Sequence, residues 1–327
     1  QSMLINAGET KNVGVELTVN TVNFSTKKFS WNTTLTLSHN KNSVKALTGE
    51  AVQLYEARFG FNQNTHRIAV GEPLGQFYGY ITEGLYQVDD FNYDASTQTY
   101  TLKDGIPYHG DKGRIRPGMW KFKNLAGDDN VIDENDKTVI GNAQPKFYGG
   151  LNNSFTYKGF DLSIFLTFSY GNEVLNATKL VTSKVGSLNY NALDVMNSSN
   201  RWMTINSDGQ KVTDPGELAA LNAGKTVAAY HDAQQGDNYI HSWAVEDASY
   251  LKLSNVTLGY TFPKNLIARV GLKNLRLYAT GNNLLTWTKY SGFDPEVSTM
   301  KSGLTPGVDF GAYPLSRSFI FGLNVAF

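Results

Sequence analysis

Large apolar side chains recur at every second position over stretches of about ten residues, with polar or small side chains between them. The last stretch, Ser318 to Phe327, shows this alternation most clearly, with Ile320 as its exception. Because successive side chains of a β-strand point to opposite sides, such a stretch forms a strand with one apolar face and one small or polar face. The apolar positions of this stretch are Phe319, Phe321, Leu323, Val325 and Phe327.

The same alternation returns along the chain and is broken by Phe165 in one stretch. Turns rich in Gly, Asn or Lys end the stretches, as is typical of short antiparallel strands. We therefore predict an all-β, antiparallel fold of about nine strands. The predicted strands cover approximately residues 13–20, 29–38, 62–70, 76–87, 146–157, 160–170, 250–262, 274–288 and 318–327.

Two architectures have strands with one apolar face, namely a secreted β-sandwich and a membrane-spanning β-barrel. The connections favour the barrel, because short and long links alternate, as do periplasmic turns and extracellular loops, whereas a sandwich rarely has such long unstructured links. The short links are Ser25 to Lys28, Gly71 to Gly75, Tyr157 to Gly159 and Pro263 to Lys273. The long links cover about residues 46–61, 88–144, 171–248 and 290–315.

We therefore predict an antiparallel transmembrane β-barrel segment with long extracellular loops. The alternative is a secreted β-rich binding or adhesion module, in which the apolar faces would form a closed core. Barrels of this kind end in the periplasm, so the last strand runs inward. The first of nine alternating strands then also runs inward, and an odd number cannot close an even-stranded bacterial barrel. We expect a remaining barrel segment outside this chain.

The composition agrees with a surface that contacts both lipid and water. Charged residues are 18% of the chain, against roughly 25% in an average soluble domain, and there are 18 Tyr, 18 Phe and 5 Trp. The 29 basic residues balance 29 acidic ones, which disfavours nucleic-acid binding, and the lack of cysteine excludes disulfides and thiol nucleophiles. No apolar run reaches the length of a transmembrane helix.

A series of short motifs extends over nearly the whole chain. The motifs are Asn12-Val-Gly-Val-Glu-Leu17, Val70-Gly-Glu-Pro-Leu-Gly-Gln-Phe-Tyr-Gly79, Pro117-Gly-Met119, Asp133-Glu-Asn-Asp-Lys137, Ile140-Gly-Asn-Ala-Gln-Pro-Lys-Phe-Tyr-Gly149, Tyr157-Lys-Gly-Phe-Asp-Leu162, Leu253-Ser-Asn-Val-Thr-Leu-Gly-Tyr260, Asn282-Asn-Leu-Leu285, Gly292-Phe-Asp-Pro-Glu-Val297 and Tyr313-Pro314. In this order they resemble the C-terminal signatures of the SusC/RagA family of TonB-dependent transporters.

The resemblance implies that residues 1–327 are the C-terminal portion of a barrel of about 22 strands, whose plug domain and N-terminal strands are absent from this chain. It further implies location in the bacterial outer membrane and import of oligosaccharides or peptides. The implied partners are a SusD-like surface lipoprotein and, through the missing N-terminal part, the TonB complex. A transporter of this kind is not an enzyme.

The C-terminal stretch also resembles the signal by which the outer-membrane assembly machinery recognises its clients. That signal would consist of Phe319, Phe321, Leu323, Val325 and Phe327. The simpler interpretation is a lipid-facing strand that ends in Phe, and both can hold together.

An acidic stretch near residues 124–136 resembles half of a calcium-binding EF-hand loop. Asp129, Asp133 and Asp136 would be side-chain ligands at loop positions 5, 9 and 12, and Val131 would offer its carbonyl oxygen at position 7. The first half does not fit, because Leu125 and Gly127 fall on the first two ligand positions. A hydrated acidic turn is the alternative to this calcium site.

No enzymatic motif is present. The five histidines lack zinc-ligand spacing, no Gly-x-Ser-x-Gly elbow occurs, and Gly224-Lys225-Thr226 has Ala219 where a phosphate loop needs glycine. Trp31 and Trp287 are expected in the aromatic girdles at the membrane boundary. The loop aromatics either stack on substrate or fill loop cores, and they are Tyr108, Trp120, Tyr190, Trp202, Tyr230, Tyr239 and Trp243.

Overall fold

A computed structural model describes residues 8–49, 52–58, 62–127, 129–183, 191–229, 239–300 and 302–327. Its main element is one antiparallel sheet of seven strands, hereafter the wall, in which each strand pairs with its neighbours in chain order. With all strands numbered along the chain, the wall consists of β1 (Gly8–Ser25), β2 (Phe29–Leu47), β13 (Phe147–Tyr157), β14 (Phe160–Tyr170), β17 (Tyr250–Thr261), β18 (Asn274–Thr288) and β20 (Ser318–Ala326).

Alternation along the strands gives the wall two chemically different faces. Across the sheet, residues in register form apolar rows on one face, the outward face, and polar rows on the other, the polar face. One outward row consists of Val19, Leu35, Leu151, Leu166, Leu253 and Leu285. The adjacent polar row consists of Asn20, Thr34, Asn152, Phe165, Asn255, Asn282 and Ser318. The predicted antiparallel barrel segment is confirmed.

Phe165, which breaks the alternation, lies on the polar face beside a glycine. A Cβ atom on Gly150 would stand 2.9 Å from the Phe165 ring, so the absence of a side chain there makes room for it. The wall therefore accommodates a large apolar side chain among polar neighbours by placing its ring over a glycine of the next strand.

The outward face also carries an unexpected polar network near the short turns. The Asn153 Oδ1 atom accepts hydrogen bonds from the Trp31 indole nitrogen at 3.0 Å and from the Thr33 hydroxyl at 2.7 Å. Asn23 donates to the Thr33 hydroxyl at 2.6 Å, and Thr21 donates to Asn23 at 2.9 Å. Polar groups on an apolar face are costly unless they bond to each other, which these four side chains and the indole do.

Two of the nine predicted strands are not in the wall. The segments near 62–70 and 76–87 contribute to a separate antiparallel sheet outside the wall, where they also bury large side chains such as Ile68 and Phe77. Apolar alternation predicts that a strand has one apolar face, but it does not show whether lipid or a protein core covers that face. This second sheet has the order β12 (Thr138–Asn142), β5 (Gln76–Gly79), β4 (Asn62–Ala69) and β3 (Val52–Arg58).

With seven wall strands, the predicted alternation of link lengths remains. The short links 26–28, 158–159 and 262–273 lie at one end of the wall, and the long links 48–146, 171–249 and 289–317 lie at the other. The short link Gly71 to Gly75 is a hairpin inside the first long link, with φ of 91° at Gly71 and 85° at Gly75. Glycine suits these positive φ values because it lacks a Cβ atom.

The long links, hereafter the loop region, fold on themselves and contain most of the buried core. Within the described residues, no helix has the length and apolar character needed to cross a bilayer. The remaining strands are β6 (Thr82–Leu85), β7 (Phe91–Asp94), β8 (Thr99–Leu102), β9 (Tyr108–His109), β10 (Trp120–Phe122), β11 (Val131–Ile132), β15 (Glu173–Asn176), β16 (Val245–Asp247) and β19 (Val308–Asp309). The α-helices are α1 (Ala177–Thr182), α2 (Pro215–Leu221) and α3 (Lys264–Ile267).

The wall is an open sheet. Among the described residues, β1 pairs only with β2 and β20 pairs only with β18, so one edge of each strand has no partner. No described sheet covers the outward face, where Phe321 is 82% exposed. A closed sandwich core, the alternative drawn from the sequence, is not formed by this sheet.

We predict that Leu166→Arg destabilises the folded wall far more than Ser163→Arg. Leu166 lies in an outward row between Leu151 and Leu253, whereas Ser163 lies on the polar face. Arginine near the middle of a bilayer costs about 2–4 kcal/mol on a lipid-facing position and little on a water-facing one. Heat-resistant migration of the whole protein on gels measures the effect, and equal loss in both variants would contradict the face assignment.

Candidate functional site

The polar face offers a ladder of hydrogen-bonding side chains between neighbouring strands. Asn255 donates to Asn282 at 2.7 Å, and Asn282 donates to Ser318 at 3.0 Å. The hydroxyls of Thr257 and Thr280 lie 2.8 Å apart. Amides and hydroxyls both donate and accept, so this surface can exchange hydrogen bonds with water or with a polar solute.

An ion pair lies flat on the polar face near the short turns. The Arg276 guanidinium donates to both carboxylate oxygens of Asp161, with the Nε–Oδ1 distance at 3.0 Å, and it stacks 5.0 Å from the centre of the Tyr278 ring. A Cβ atom on Gly259 would stand 2.6 Å from the Asp161 Oδ1 atom. Glycine at this position therefore leaves the space in which the pair forms.

A second charged group joins the polar face to the loop region. Lys252, only 4% exposed, pairs with the carboxylate of Glu296, and the Tyr250 hydroxyl donates to the same carboxylate at 2.6 Å. Glu296 belongs to the link 289–317, so this contact fixes that link to the wall. A buried lysine needs such a partner, because an unpaired charge away from water is strongly unfavourable.

The same link is fixed to the rest of the loop region by a further carboxylate. Glu246 accepts hydrogen bonds from the Ser291 backbone N–H and hydroxyl, both at 2.9 Å, and from the Lys179 ammonium at 3.1 Å. Burial raises the pKa of Glu246, but the Ser291 hydrogen bonds and the Lys179 charge outweigh it, and the pKa falls below its usual value. Glu246 is thus held as a charged carboxylate.

Most of the loop aromatics singled out in the sequence serve as loop core. Trp120 and Trp202 are buried, and the Trp120 and Trp243 rings lie 4.9 Å apart. Tyr239 packs edge-on against Tyr80, while Tyr108 is half-buried. Tyr190 and Tyr230 lie outside the described residues. Buried rings of this kind cannot stack on a substrate unless the loop region opens.

The acidic turn uses its carboxylates on its own backbone. Asp136 accepts hydrogen bonds from the backbone N–H groups of Leu125, Ala126 and Asp133 at 2.6, 2.9 and 2.8 Å. Burial raises the pKa of Asp136, but these hydrogen bonds outweigh it and lower the pKa below its usual value.

Asp133 likewise accepts from the Asn135 N–H at 2.7 Å, and Asp129 accepts from the N–H of Val131 at 3.1 Å. Among the described residues, which do not include Asp128, no three acidic or histidine side chains converge as a metal site. The structure therefore favours the hydrogen-bonded turn, and calcium binding by Asp129, Val131, Asp133 and Asp136 stays a prediction without geometric support.

The apolar residues of the C-terminal stretch all lie on the outward face or just beyond it. Phe319 and Phe321 stand opposite Gly281 and Ala279 of β18, whose small side chains leave room for the rings. Leu323 and Val325 stand opposite Leu277 and Leu275, and Phe327 follows the end of β20. The arrangement fits a lipid-facing strand, and recognition by the assembly machinery stays a prediction.

Two buried histidines in the loop region are kept neutral. Burial lowers the pKa of His66 to about 4, although a hydrogen bond to the Pro306 carbonyl opposes the shift, and burial lowers the pKa of His109 to about 4. Neither ring nitrogen of His109 has a hydrogen-bond partner among the described residues. Burial therefore favours the neutral form of both imidazole rings.

The sequence did not reveal the charged contacts of the polar face. Asp161 and Glu296 lie within the motifs Tyr157 to Leu162 and Gly292 to Val297, but their partners Arg276 and Lys252 are distant in sequence. The signal in the sequence for these ion pairs is a charged residue at a polar position of an alternating strand. Strand register is needed to pair such residues.

The chain is similar over its full length to known outer-membrane receptors, although no protein-family model matches it. TonB-dependent receptor P3 of Formosa agariphila is 33% identical over 100% of this chain and 30% of that protein, and TonB-dependent receptor SusC of Bacteroides thetaiotaomicron is 27% identical over 99% and 27%. The chain thus spans about 30% of the length of these relatives.

The fold is similar to that of a solved structure. The RagAB peptide transporter superposes with a TM-score of 0.67 at 21% identity, covering 98% of this chain and 30% of that one. At this identity, the superposition shows a shared fold, in agreement with the antiparallel wall.

We predict that the loop region loses stability as the pH falls from about 6.5 to 4, while the wall does not. Because the folded pKa values of His66 and His109 are about 4 against 6.5 for a free side chain, their stabilising effect is complete above pH 6.5 and is lost toward pH 4. Each contributes up to about 3 kcal/mol.

The loss is measured by hydrogen exchange of the backbone amides of β4 and β9 as the pH is lowered, with the amides of β14 as the reference for the wall. The rates are corrected for the intrinsic effect of pH on exchange. His109→Phe should remove part of the pH dependence, whereas the exposed control His39→Gln should leave it unchanged. Loop exchange that does not respond to pH in the parent protein would contradict the prediction.

Proposed function

The chain belongs to the SusC/RagA family of TonB-dependent receptors of the bacterial outer membrane, and we propose that it forms part of an importer for oligosaccharides or peptides. In this proposal, the polar face lines the substrate path and the loop region forms its extracellular entrance. A plug domain in the remaining part of the protein gates the path and contacts the TonB complex. Catalysis has no role in it.

The observation that carries the proposal is the attachment of the loop region to the polar face. Lys252 and Tyr250 of β17 bind Glu296 of the link 289–317, so a folded extracellular segment is held against the wall from the polar side. A loop held in this way stands beside any solute that moves along the polar face. The relatives support the same assignment, since they are TonB-dependent receptors.

We infer that a SusD-like surface lipoprotein covers the loop region. The support is the family relationship together with the folded, core-containing loop region, which offers a stable surface to a partner. Co-purification of the whole receptor with a lipoprotein encoded beside it tests this partnership, and a receptor that transports without one would contradict it.

We also infer that a remaining barrel segment pairs with the free edges of β1 and β20. In hydrocarbon each unpaired backbone N–H or C=O group costs several kcal/mol, and charge or proline cannot blunt an edge there as they do in water. Pairing with further strands closes the barrel and gives hydrogen-bond partners to the backbone groups of both edges. Outer-membrane lipid then surrounds the outward face.

Uptake by the whole protein tests the proposed function. Labelled oligosaccharides and peptides are offered to cells with the intact receptor, and import should require both the receptor and TonB. Import of neither class, or import that persists without TonB, would overturn the proposal.

We predict that Glu296→Gln lowers this uptake while the wall stays folded. The change leaves Lys252 buried without its counter-charge, at a cost of at least about 1 kcal/mol, and weakens the attachment of the link 289–317 to the wall. The matched control Glu217→Gln removes an exposed carboxylate from α2 and should have no effect. Normal uptake with Glu296→Gln would show that the attachment is dispensable.

In the whole receptor in detergent, the amides of β1 and β20 should exchange as slowly as those of β14, because both edges are paired. The same amides should exchange faster when residues 1–327 are prepared alone. Equal protection in the isolated chain would contradict closure by further strands.

A further inference from the structure

A pocket of about 350 Å³ opens in the loop region between four segments of the chain. The segments are 176–179, 193–195, 291–293 and 309–312. This volume lies in the range of small-ligand sites, which combine an apolar lining with a few polar groups. Leu193, Val195 and Phe293 supply the apolar part of the lining.

Hydrogen bonds between the segments fix the walls of the pocket. Glu246 binds both Lys179 and Ser291, and the Thr178 hydroxyl accepts from the Gly311 N–H at 2.9 Å. The Tyr290 hydroxyl donates to Asp309 at 2.6 Å. Because these polar groups are already hydrogen-bonded to neighbouring segments, the pocket is formed before any ligand binds.

Two lining groups have no such structural task. Phe293 is 81% exposed, whereas the core aromatics of the loop region are buried. The carboxylate of Asp194 is exposed and accepts no hydrogen bond from any described residue. Among the residues that the structure describes, no ring packs against this exposed phenyl group, so it is available to a ligand.

The charges at the pocket favour a cation over an anion. Lys179 is neutralised by Glu246, which leaves the carboxylates of Asp194 and Asp309 among the lining groups. Asp309 is buried against Tyr290, so Asp194 is the accessible one. An ammonium group bound to this carboxylate adds attraction between opposite charges to its hydrogen bond, whereas a sugar hydroxyl donates a hydrogen bond but brings no charge of its own.

We propose that this pocket binds the free amino terminus of a peptide, with its ammonium group on Asp194 and its first side chain against Phe293. The inference rests on the proposed import function and names peptides as the substrate class. Neutral oligosaccharides lack the ammonium group, and anionic glycans would be repelled by the carboxylates.

Calorimetry on the whole receptor in detergent tests the proposal. The ligands are the tripeptide leucyl-alanyl-alanine, its N-acetylated form and the neutral trisaccharide maltotriose. We expect the free tripeptide to bind at least about tenfold more tightly than the acetylated form, with the difference decreasing at high salt. Maltotriose should not compete.

Two variants locate the binding. Asp194→Asn should weaken the free tripeptide about tenfold and abolish its advantage over the acetylated form, whereas Phe293→Ala should weaken both forms. The matched controls Asp208→Asn and Tyr313→Ala remove an exposed carboxylate and an exposed ring outside the pocket, and both should bind as the parent does.

The proposal is overturned if the tripeptide does not bind at millimolar concentration, if acetylation has no effect in the parent, or if Asp194→Asn keeps the discrimination. Competition by maltotriose would assign the pocket to saccharides instead. Receptor-dependent and TonB-dependent uptake in cells, measured in parallel, shows whether the import function stands when this pocket assignment fails.

Discussion

The structure depends on the backbone hydrogen bonds that join the seven wall strands. A bilayer offers no partner to a peptide N–H or C=O group, so a segment that crosses it as strands must satisfy these groups from neighbouring strands. The ladder from β1 to β20 does so in chain order, with each wall strand antiparallel to the next. Side-chain burial plays a smaller part, because outward residues such as Phe321 and Leu323 remain exposed to their surroundings.

Because the ladder holds the wall together, the two faces are free to carry different chemistry. The outward face is apolar, as suits a surface that faces lipid, while the polar face carries amides, hydroxyls and paired charges. The packed core that a soluble protein would place between its sheets lies instead in the loop region, around residues such as Phe77, Phe122 and Trp202. Lys252 and Glu296 connect these two parts, since one belongs to the wall and the other to a long link.

Alternation in the sequence was sufficient to predict the antiparallel wall and the unequal link lengths, because period two is a property of the strand itself. It cannot tell wall strands from loop strands, since lipid and a protein core both accept apolar side chains. Alternation alone therefore predicts β4 and β5 as wall strands, whereas they lie in the separate sheet. Spacing likewise could not show where carboxylates point, and Asp136 points at backbone N–H groups. Phe293 stood in a recognised motif, but only the fold shows that its ring is exposed.

The pairing of charges on the wall determines where selection by charge can occur. The strands β13, β14, β17, β18 and β20 carry three charged side chains, and each has a partner of opposite sign: Asp161 with Arg276, and Lys252 with Glu296. A solute moving along this part of the polar face therefore meets hydrogen-bonding groups but little net charge.

Attraction between unlike charges decays with distance and is screened by salt, so a charged group must lie at the surface that first meets the solute. In the described loop region Asp194 is such a group, because its carboxylate is exposed and not used by the fold. In the proposed importer, discrimination by charge is thus expected at the loop region, and passage along the wall is expected to depend on hydrogen bonding and size.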